Sequence, residues 1–390
     1  MTANTKEQLF YSFERGVVTT PKFIENYNKN YPWLYQGKDN LYSNELLRLY
    51  LDSSSLHSAI LKTKADMIAG NGFDKENIGI NAKTFIKNMF GDESLDQVAY
   101  KCGFDLAMYG GFYLNLVWSR DREKISAIYH LPYEKVRIKK PDVNNDDKVS
   151  EYYISRDWEY VRREENKPKE VPAFDVLNKD EHPSQILFVK QYNPGCEWYS
   201  LPEYTSTLNW IKLAYEINVY HLKSVQNNMN SGLIIVNKSG IPPQEMREQI
   251  YQDLKARYAG ADAAGDILMV YAENADKAPE FIPFPNNGSD QRFKDLMDQV
   301  NQNIMLGHGA NSVVAGIETA GKLGSAGEID EQYNAFQVKK ISPLQKIIED
   351  TFNRIGDFNG ITDDLKLIKF KPFDFDKQDA AIIKTDTNKQ

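Results

Sequence analysis

The stretch GIETAGKL, residues 316–323, is where spacing alone suggests chemistry in this chain. It follows the G-x-x-x-x-G-K pattern of a phosphate-binding loop up to its last position. In such a loop a buried strand runs into a turn whose backbone N–H groups wrap phosphates, and the turn opens into a helix. The residue after the lysine is Ser or Thr, because its hydroxyl binds magnesium. Here it is Leu323, which offers a cation nothing. The preceding NSVVA makes a poor central strand, and Gly324 and Gly327 delay any following helix. A glycine-rich segment meets this spacing readily, so Gly316–Leu323 is read as a loop with another purpose.

The remaining chemistry-bearing residues do not assemble into a catalytic pattern. The histidines, His57, His130, His182, His221 and His308, form no H-x-x-x-H or H-E-x-x-H spacing that would set two metal ligands on one helix face. Cys102 and Cys196 make neither a disulfide framework nor a metal site, and point to folding in a reducing interior. Cys102 reads as a small buried hydrophobe. There is no G-x-S-x-G elbow for an acyl-transfer serine. DVNNDD at 142–147 has the composition of a calcium loop but lacks its glycine and closing glutamate, which leaves a solvated turn. The expectation is a protein with no catalytic residues, no metal and no cofactor.

Charge narrows the partners. A formal net charge of −8 gives no support for a sequence-specific DNA binder, which carries a basic face. It is compatible with DNA passing close by, since an acidic wall repels phosphate and prevents sticking. No apolar run approaches the ~18 residues of a membrane span, and MTANTKEQLF lacks a signal-peptide pattern, so no membrane partner is expected.

The elements that position these residues read as follows. Residues 1–42 are an irregular aromatic and polar arm, suited to being held by a partner. A helix is expected from Ser43 to Ala69, ended by Gly70 and Gly72, and a second from Leu95 to Met108 before YGG. FYLNLVW, ISAIYHL, KVRIKK, EYYIS, WEYVRR and ILFVKQY suggest a small antiparallel β-domain over about 111–192. Glu203 to Asn230 forms a long helix of about 40 Å at ~1.5 Å per residue, introduced by Pro202 and carrying one apolar stripe.

SGLIIVN then reads as a strand, IPPQEMREQIYQDLKARYAG as a short helix, and GDILMVYAENADKAPEFIPF as two strands around a turn. A further helix spans Ser289 to Met305. The soft segment from Leu306 to Gly327 contains six glycines and four alanines. The chain is helical again from Glu328 to Arg354 with a bend at Pro343, and LKLIKFKPFDF alternates like a strand. An amphipathic helix of such length must bury its stripe, either within the chain or against copies of itself, and copies whose contacts close make rings.

This order of elements resembles the portal proteins of tailed bacteriophages, the ring at the capsid vertex through which DNA passes. HSAILKTKADMIAGNGF resembles the first wing helix of that family, and ISAIYHLPYEKVRI the strand, His-Leu-Pro and strand of its wing. GCEWYSLPEYTSTLNWIKLAYEINVYHLKSVQNNMNSGLIIV is similar to the first stem helix leading into the clip. GHGANSVVAGIETAGKLGSAGEIDEQYNAFQVKKISPLQKIIEDTFNRI is similar to the tunnel loop and its following helix.

The resemblance implies an α+β portal-protein fold with a wing, long stem helices, an α/β clip insert, a tunnel loop and a bent C-terminal helix. Its parts would be the arm 1–42, wing 43–202, stem helix 203–230, clip 231–286, second stem helix 287–305, tunnel loop 306–327, helix 328–356, and a return strand with short tail 357–390. Little chain follows that strand, so the crown domain is expected to be short or absent.

It further implies a ring of twelve subunits that carries double-stranded DNA without base readout. The expected partners are the terminase large subunit, the major capsid or scaffold protein and a head–tail adaptor, in a virion assembled in the bacterial cytoplasm. His308, Asn311, Ser312, Thr319 and Lys322 become candidates for meeting DNA, with a solvated loop lysine as the plainer reading of Lys322. Met246, Arg247, Ile250 and Tyr251 become candidates for clip contacts, although Met246 and Ile250 also suit the insert's own core. The rivals are another structural protein of the virion head and a nucleotide-dependent motor.

Overall fold

The computed structural model describes residues 22–26, 30–141, 148–226, 233–237, 243, 245–246, 248–249, 267–271, 280–283, 289–316 and 326–369. They fall into two compact units, one containing 22–209 and 302–369, the other 210–301.

In the larger unit the expected helix from Ser43 to Ala69 is two helices, α1 (Tyr42–Asp52) and α2 (Ser55–Ala69). The serine run between them explains the break. Ser54 turns to an extended conformation, and its hydroxyl accepts from the His57 N–H, so α2 begins with its own cap. Gly70 ends it, as expected. A helix absent from the sequence reading, α3 (Ile80–Lys87), precedes α4 (Leu95–Tyr109). α4 opens with a capping box between Ser94 and Gln97 and stops at Gly110.

α4 packs against α2 and against the strands that follow it. β3 (Gly111–Trp118) is the buried centre of an antiparallel sheet, with β4 (Ile125–Leu131) on one side and the distant β8 (Ser184–Lys190) on the other. A second antiparallel sheet orders β5 (Val136–Ile138), β6 (Glu151–Ile154) and β7 (Lys169–Pro172). WEYVRR is not a strand. The Asp157 carboxylate accepts from the N–H groups of Glu159 and Tyr160 and curls the backbone there, while Trp158 is buried. Two asparagines cover the outer edge of β4. Asn88 and Asn359 each exchange two hydrogen bonds with one backbone residue, Ile128 and Ile125 respectively, and so satisfy groups that would otherwise pair with another strand.

The described part of the arm is fastened to its own chain. β1 (Glu25–Asn26) pairs with β2 (Tyr35–Gln36), and the Glu25 carboxylate accepts from the N–H groups of Glu197, Trp198 and Tyr199. Leu34 is fully buried, and its N–H donates to Ile138 O at the edge of β5.

In the smaller unit, β9 (Leu233–Asn237) is central, parallel to β10 (Ile267–Tyr271) and antiparallel to β11 (Glu280–Pro283). The expected hairpin between the last two strands therefore does not form. Each pairs with the continuous apolar run of β9, the pattern of a strand with neighbours on both sides. Residues 245–246 and 248–249 of the crossover between β9 and β10 are helical.

Two long helices have residues in both units: α5 (Leu208–Gln226), preceded by a 3-10 turn Glu203–Thr207, and α6 (Ser289–His308). After α6 come α7 (Ser312–Ala315), α8 (Ala326–Phe336), a π-helical turn Gln337–Ile341, and α9 (Ser342–Phe358). Pro343 sits in the first turn of α9. Its missing N–H and its ring exclude a regular bond to the carbonyl of residue 339, and the chain widens to a π turn just before it. Residues beyond α9 return to the end of α2: Ile368 O accepts from the Asn71 N–H and the Ile368 N–H donates to Gly72 O.

Candidate functional site

A cluster of charged and titratable side chains of the larger unit lies where the 3-10 turn 203–207, the end of α6, α2 and the π turn meet. Two kinds of contact lie side by side there.

The first is dry. His57, in the first turn of α2, and His308, the last residue of α6, are both fully buried. His57 Nδ1 lies 2.9 Å from His308 Nε2, and the Tyr204 ring lies 4.8 Å from His57 and 4.7 Å from His308. Burial, reinforced by the Lys64 cation, pushes the His57 pKa down to about 3. Burial, Lys64 and His57 push His308 well below its ordinary value. Both rings are therefore neutral near neutral pH, and the contact carries one proton. Whichever ring donates, one N–H and one lone pair remain without a protein partner at His57 Nε2 and His308 Nδ1. Such an orphan costs about 1–3 kcal/mol, which the packing around it must offset. Gly307 shows how tight that packing is, because a Cβ there would overlap the Thr207 side chain.

The second contact is ionic. Lys64 on α2 is almost fully buried, and its Nζ lies 3.2 Å from Glu203 Oε2. The other oxygen, Oε1, pairs with Lys340 of the π turn. Burial lowers the Lys64 pKa and works against the Glu203 carboxylate, yet the two cations hold Glu203 below the usual carboxylate range. Lys340 reaches Glu203 by lying across Gly309, which has φ +58°, and a Cβ at Gly309 would overlap the lysine stem.

Behind this joint, the Gln337 amide donates to Gln345, whose own amide donates to Met67 O and Ile68 O at the end of α2. Those carbonyls have no partner within their helix, so the glutamine pair ties the π turn and α9 to it.

The expected DNA-facing residues are placed differently from one another. His308 is corrected: it belongs to α6, not to a loop, and its buried ring cannot meet phosphate. The second long helix correspondingly runs to 308 rather than 305. Asn311 caps α7, accepting from the Val314 N–H and donating to Gln332 O, so its amide is already engaged. Ser312 is the half-buried first residue of α7. Thr319 and Lys322 lie outside the described residues.

Gly316, the first glycine of the phosphate-loop spacing, ends the short helix α7 at φ +67°. A phosphate loop instead leaves a strand at this point. Met246 is exposed in a helical stretch, while Arg247, Ile250 and Tyr251 lie outside the described residues. Among the described residues no group of three or more His, Cys, Asp or Glu side chains is arranged to hold a metal, and no helix is long and apolar enough to cross a membrane.

Sequence reasoning missed Lys64, Glu203 and Lys340. Glu203 is 139 residues from Lys64 and 137 from Lys340, so no local spacing could reveal them. A hint was present: a lysine on the apolar stripe of α2 must find a counter-charge.

Comparison with known proteins places the chain in a family. The family model described as Phage portal protein matches residues 96–361, more than half of the chain, from α4 to the end of α9. The chain belongs to the phage portal protein family. A curated member, the "Probable portal protein" of Haemophilus phage HP1 (strain HP1c1), is 23% identical over 195 residues, covering 49% of this chain and 54% of the relative. The chain thus matches about half the length of that relative.

Two solved structures share the fold across 88% of this chain and 87% of theirs. The neck of an empty gene transfer agent (GTA) particle, computed with C6 symmetry, is 15% identical with a TM-score of 0.56. The neck of the native GTA particle, computed with C12 symmetry, is 14% identical with a TM-score of 0.53. The α+β portal fold expected from the resemblance is therefore the fold of this chain.

Proposed function

We propose that the chain is the subunit of a phage portal, the ring-shaped channel at a capsid vertex through which double-stranded DNA is packaged and ejected. The observation that carries this reading is the family match over residues 96–361, which includes the β-domain, both long helices and the π turn with the helix after it. The neck computed with C12 symmetry supports a ring of twelve copies. In this reading α5 and α6 are the stem helices, the β9–β11 unit is the clip, and the chain from Gly309 to α8 lines the channel.

The role is structural and not enzymatic, with no cofactor, and a separate terminase motor supplies the energy of packaging. Contacts with DNA are non-specific and made to phosphates. A net charge of −8 keeps them weak enough for the strand to slide. Ser312, Thr319 and Lys322 remain the candidates for meeting it. Met246, exposed, and Arg247, Ile250 and Tyr251 are the candidates for meeting a neighbouring subunit, terminase or adaptor on the clip. The larger unit faces the capsid or scaffold protein, in a virion assembled in the host cytoplasm.

Negative-stain electron microscopy of the purified chain, paired with its mass in solution, tests this. Annular particles with a central hole and the mass of about a dozen subunits are expected. A compact dimer that hydrolyses ATP with magnesium would overturn the reading.

A further inference from the structure

The joint holds two cations on one carboxylate, and they differ in what happens when one leaves. Lys64 is almost fully buried, so an uncompensated ammonium there is costly. Lys340 is about a third exposed, and Glu203 likewise. If Lys340 moves away, its head enters water, and Glu203 still neutralises Lys64. No buried charge is stranded. The Lys340 bond can therefore break at no more than the small cost of a partly exposed ion pair, without loosening the rest.

Two further features concern what Lys340 holds. Its stem lies over Gly309, the first residue after α6, so the chain leaving α6 is pinned between the lysine and the stem base. Lys340 also stands in a π turn, a conformation that carries one residue more than a regular turn and is often found at functional positions. The elements on either side are held by other means: His308 by His57 and Tyr204, and α9 by Gln345 on the end of α2.

We propose that Lys340 is a releasable strap. Closed on Glu203, it fixes the start of the segment Gly309–Gly316 against the base of the first long helix. Open, it loosens that segment, which keeps its Asn311–Gln332 bond and the buried Val314, while the His57–His308 contact and the Lys64–Glu203 pair stay in place. This deepens the portal reading by naming what sets the position of the channel-lining segment. Its test needs only the chain itself, so its failure leaves the portal reading standing.

Hydrogen exchange of the full chain reads the strap directly. The amides of Gly309, Ala310, Val314, Ala315 and Gly316 all donate hydrogen bonds when the segment is closed. K340M is expected to raise exchange across 309–316 by about two- to fivefold, while exchange in α2 stays as in the unmodified chain. K340R restores the slower exchange, and K339M, one residue away and exposed, changes nothing. Raising salt to about 1 M, where charges are screened within ~3 Å, reproduces K340M in the unmodified chain and has no effect on K340M itself. Unchanged exchange in 309–316 on K340M overturns the proposal. Equal acceleration in α2 also overturns it, because Lys340 would then be part of the framework rather than a strap.

Discussion

Among its described residues the larger unit buries two cations, Arg137 and Lys64, and solves the problem in opposite ways. Arg137 on β5 is fully buried with no carboxylate bonded to it. Its five N–H donors go to Asn40 Oδ1, Asn40 O, Asn44 Oδ1, Glu134 O and Val136 O, and its guanidinium lies 4.9 Å from the centre of the Trp158 ring. Every donor is met by a neutral oxygen in fixed geometry, so the arm, β5 and the turn before it are locked as one body. Lys64 instead shares a half-exposed carboxylate with a second lysine. A cation dispersed over many neutral acceptors makes a permanent fastening. A carboxylate shared by two cations has a partner to spare.

The contrast breaks most visibly at Arg137. R137M strands several buried oxygens and is expected to lower unfolding stability in urea by about 3–5 kcal/mol. It should also release the arm to proteolysis between β2 and α1. A loss under about 1 kcal/mol would show that the arm is held by Glu25 and Leu34 without help from Arg137.

E203Q comes next. It leaves Lys64 with a neutral amide, and a loss of about 2 kcal/mol is expected in the same urea titration, discounted because Glu203 is 41% exposed. The effect should shrink in K64M/E203Q, where no buried charge remains.

The histidine pair sharpens the comparison by pH. The folded pKa of His57 is about 3 against an ordinary 6.5, so its neutral form is the folded one. Its contribution is complete above pH 6.5 and is lost as pH falls toward 3. Glu203 works in the same direction, its contribution lasting above the ordinary carboxylate pKa of 4.5 and fading below it. The thermal midpoint should therefore fall between pH 7 and pH 5. H57F/H308F removes both orphaned groups together, should lie within about 1 kcal/mol of the unmodified chain at pH 7, and should flatten that pH slope. A slope that persists would place its origin elsewhere.

The smallest effect is expected at the strap. K340M should change global stability by less than about 1 kcal/mol, measured in urea. Its consequence is local.

Local signals served the helices well and the assembled site poorly. The Ser94–Gln97 capping box, the stops at Gly70 and Gly110 and the bend near Pro343 all rest on residues within a few positions of one another, where backbone chemistry decides. The failures have local causes too. Three consecutive serines gave α2 a cap of its own, and Asp157 turned an apparent strand into a loop. The third failure was topological: β10 and β11 each chose β9, because a central strand with an apolar run from Leu233 to Val236 rewards neighbours on both sides more than a hairpin rewards closure.

By itself the sequence determined the order and nature of the long helices, the glycine-rich composition of the chain between α6 and α8, the absence of a complete phosphate loop, and a likeness to the portal family carried by the ordered set of segments. Only the tertiary structure decided that His308 belongs to the core, since its partner His57 is 251 residues away. It alone brought Lys64, Glu203 and Lys340 together. The reason is physical: periodicity and capping act over one or two turns, whereas charge compensation and close packing act through space, on residues that sequence spacing does not relate.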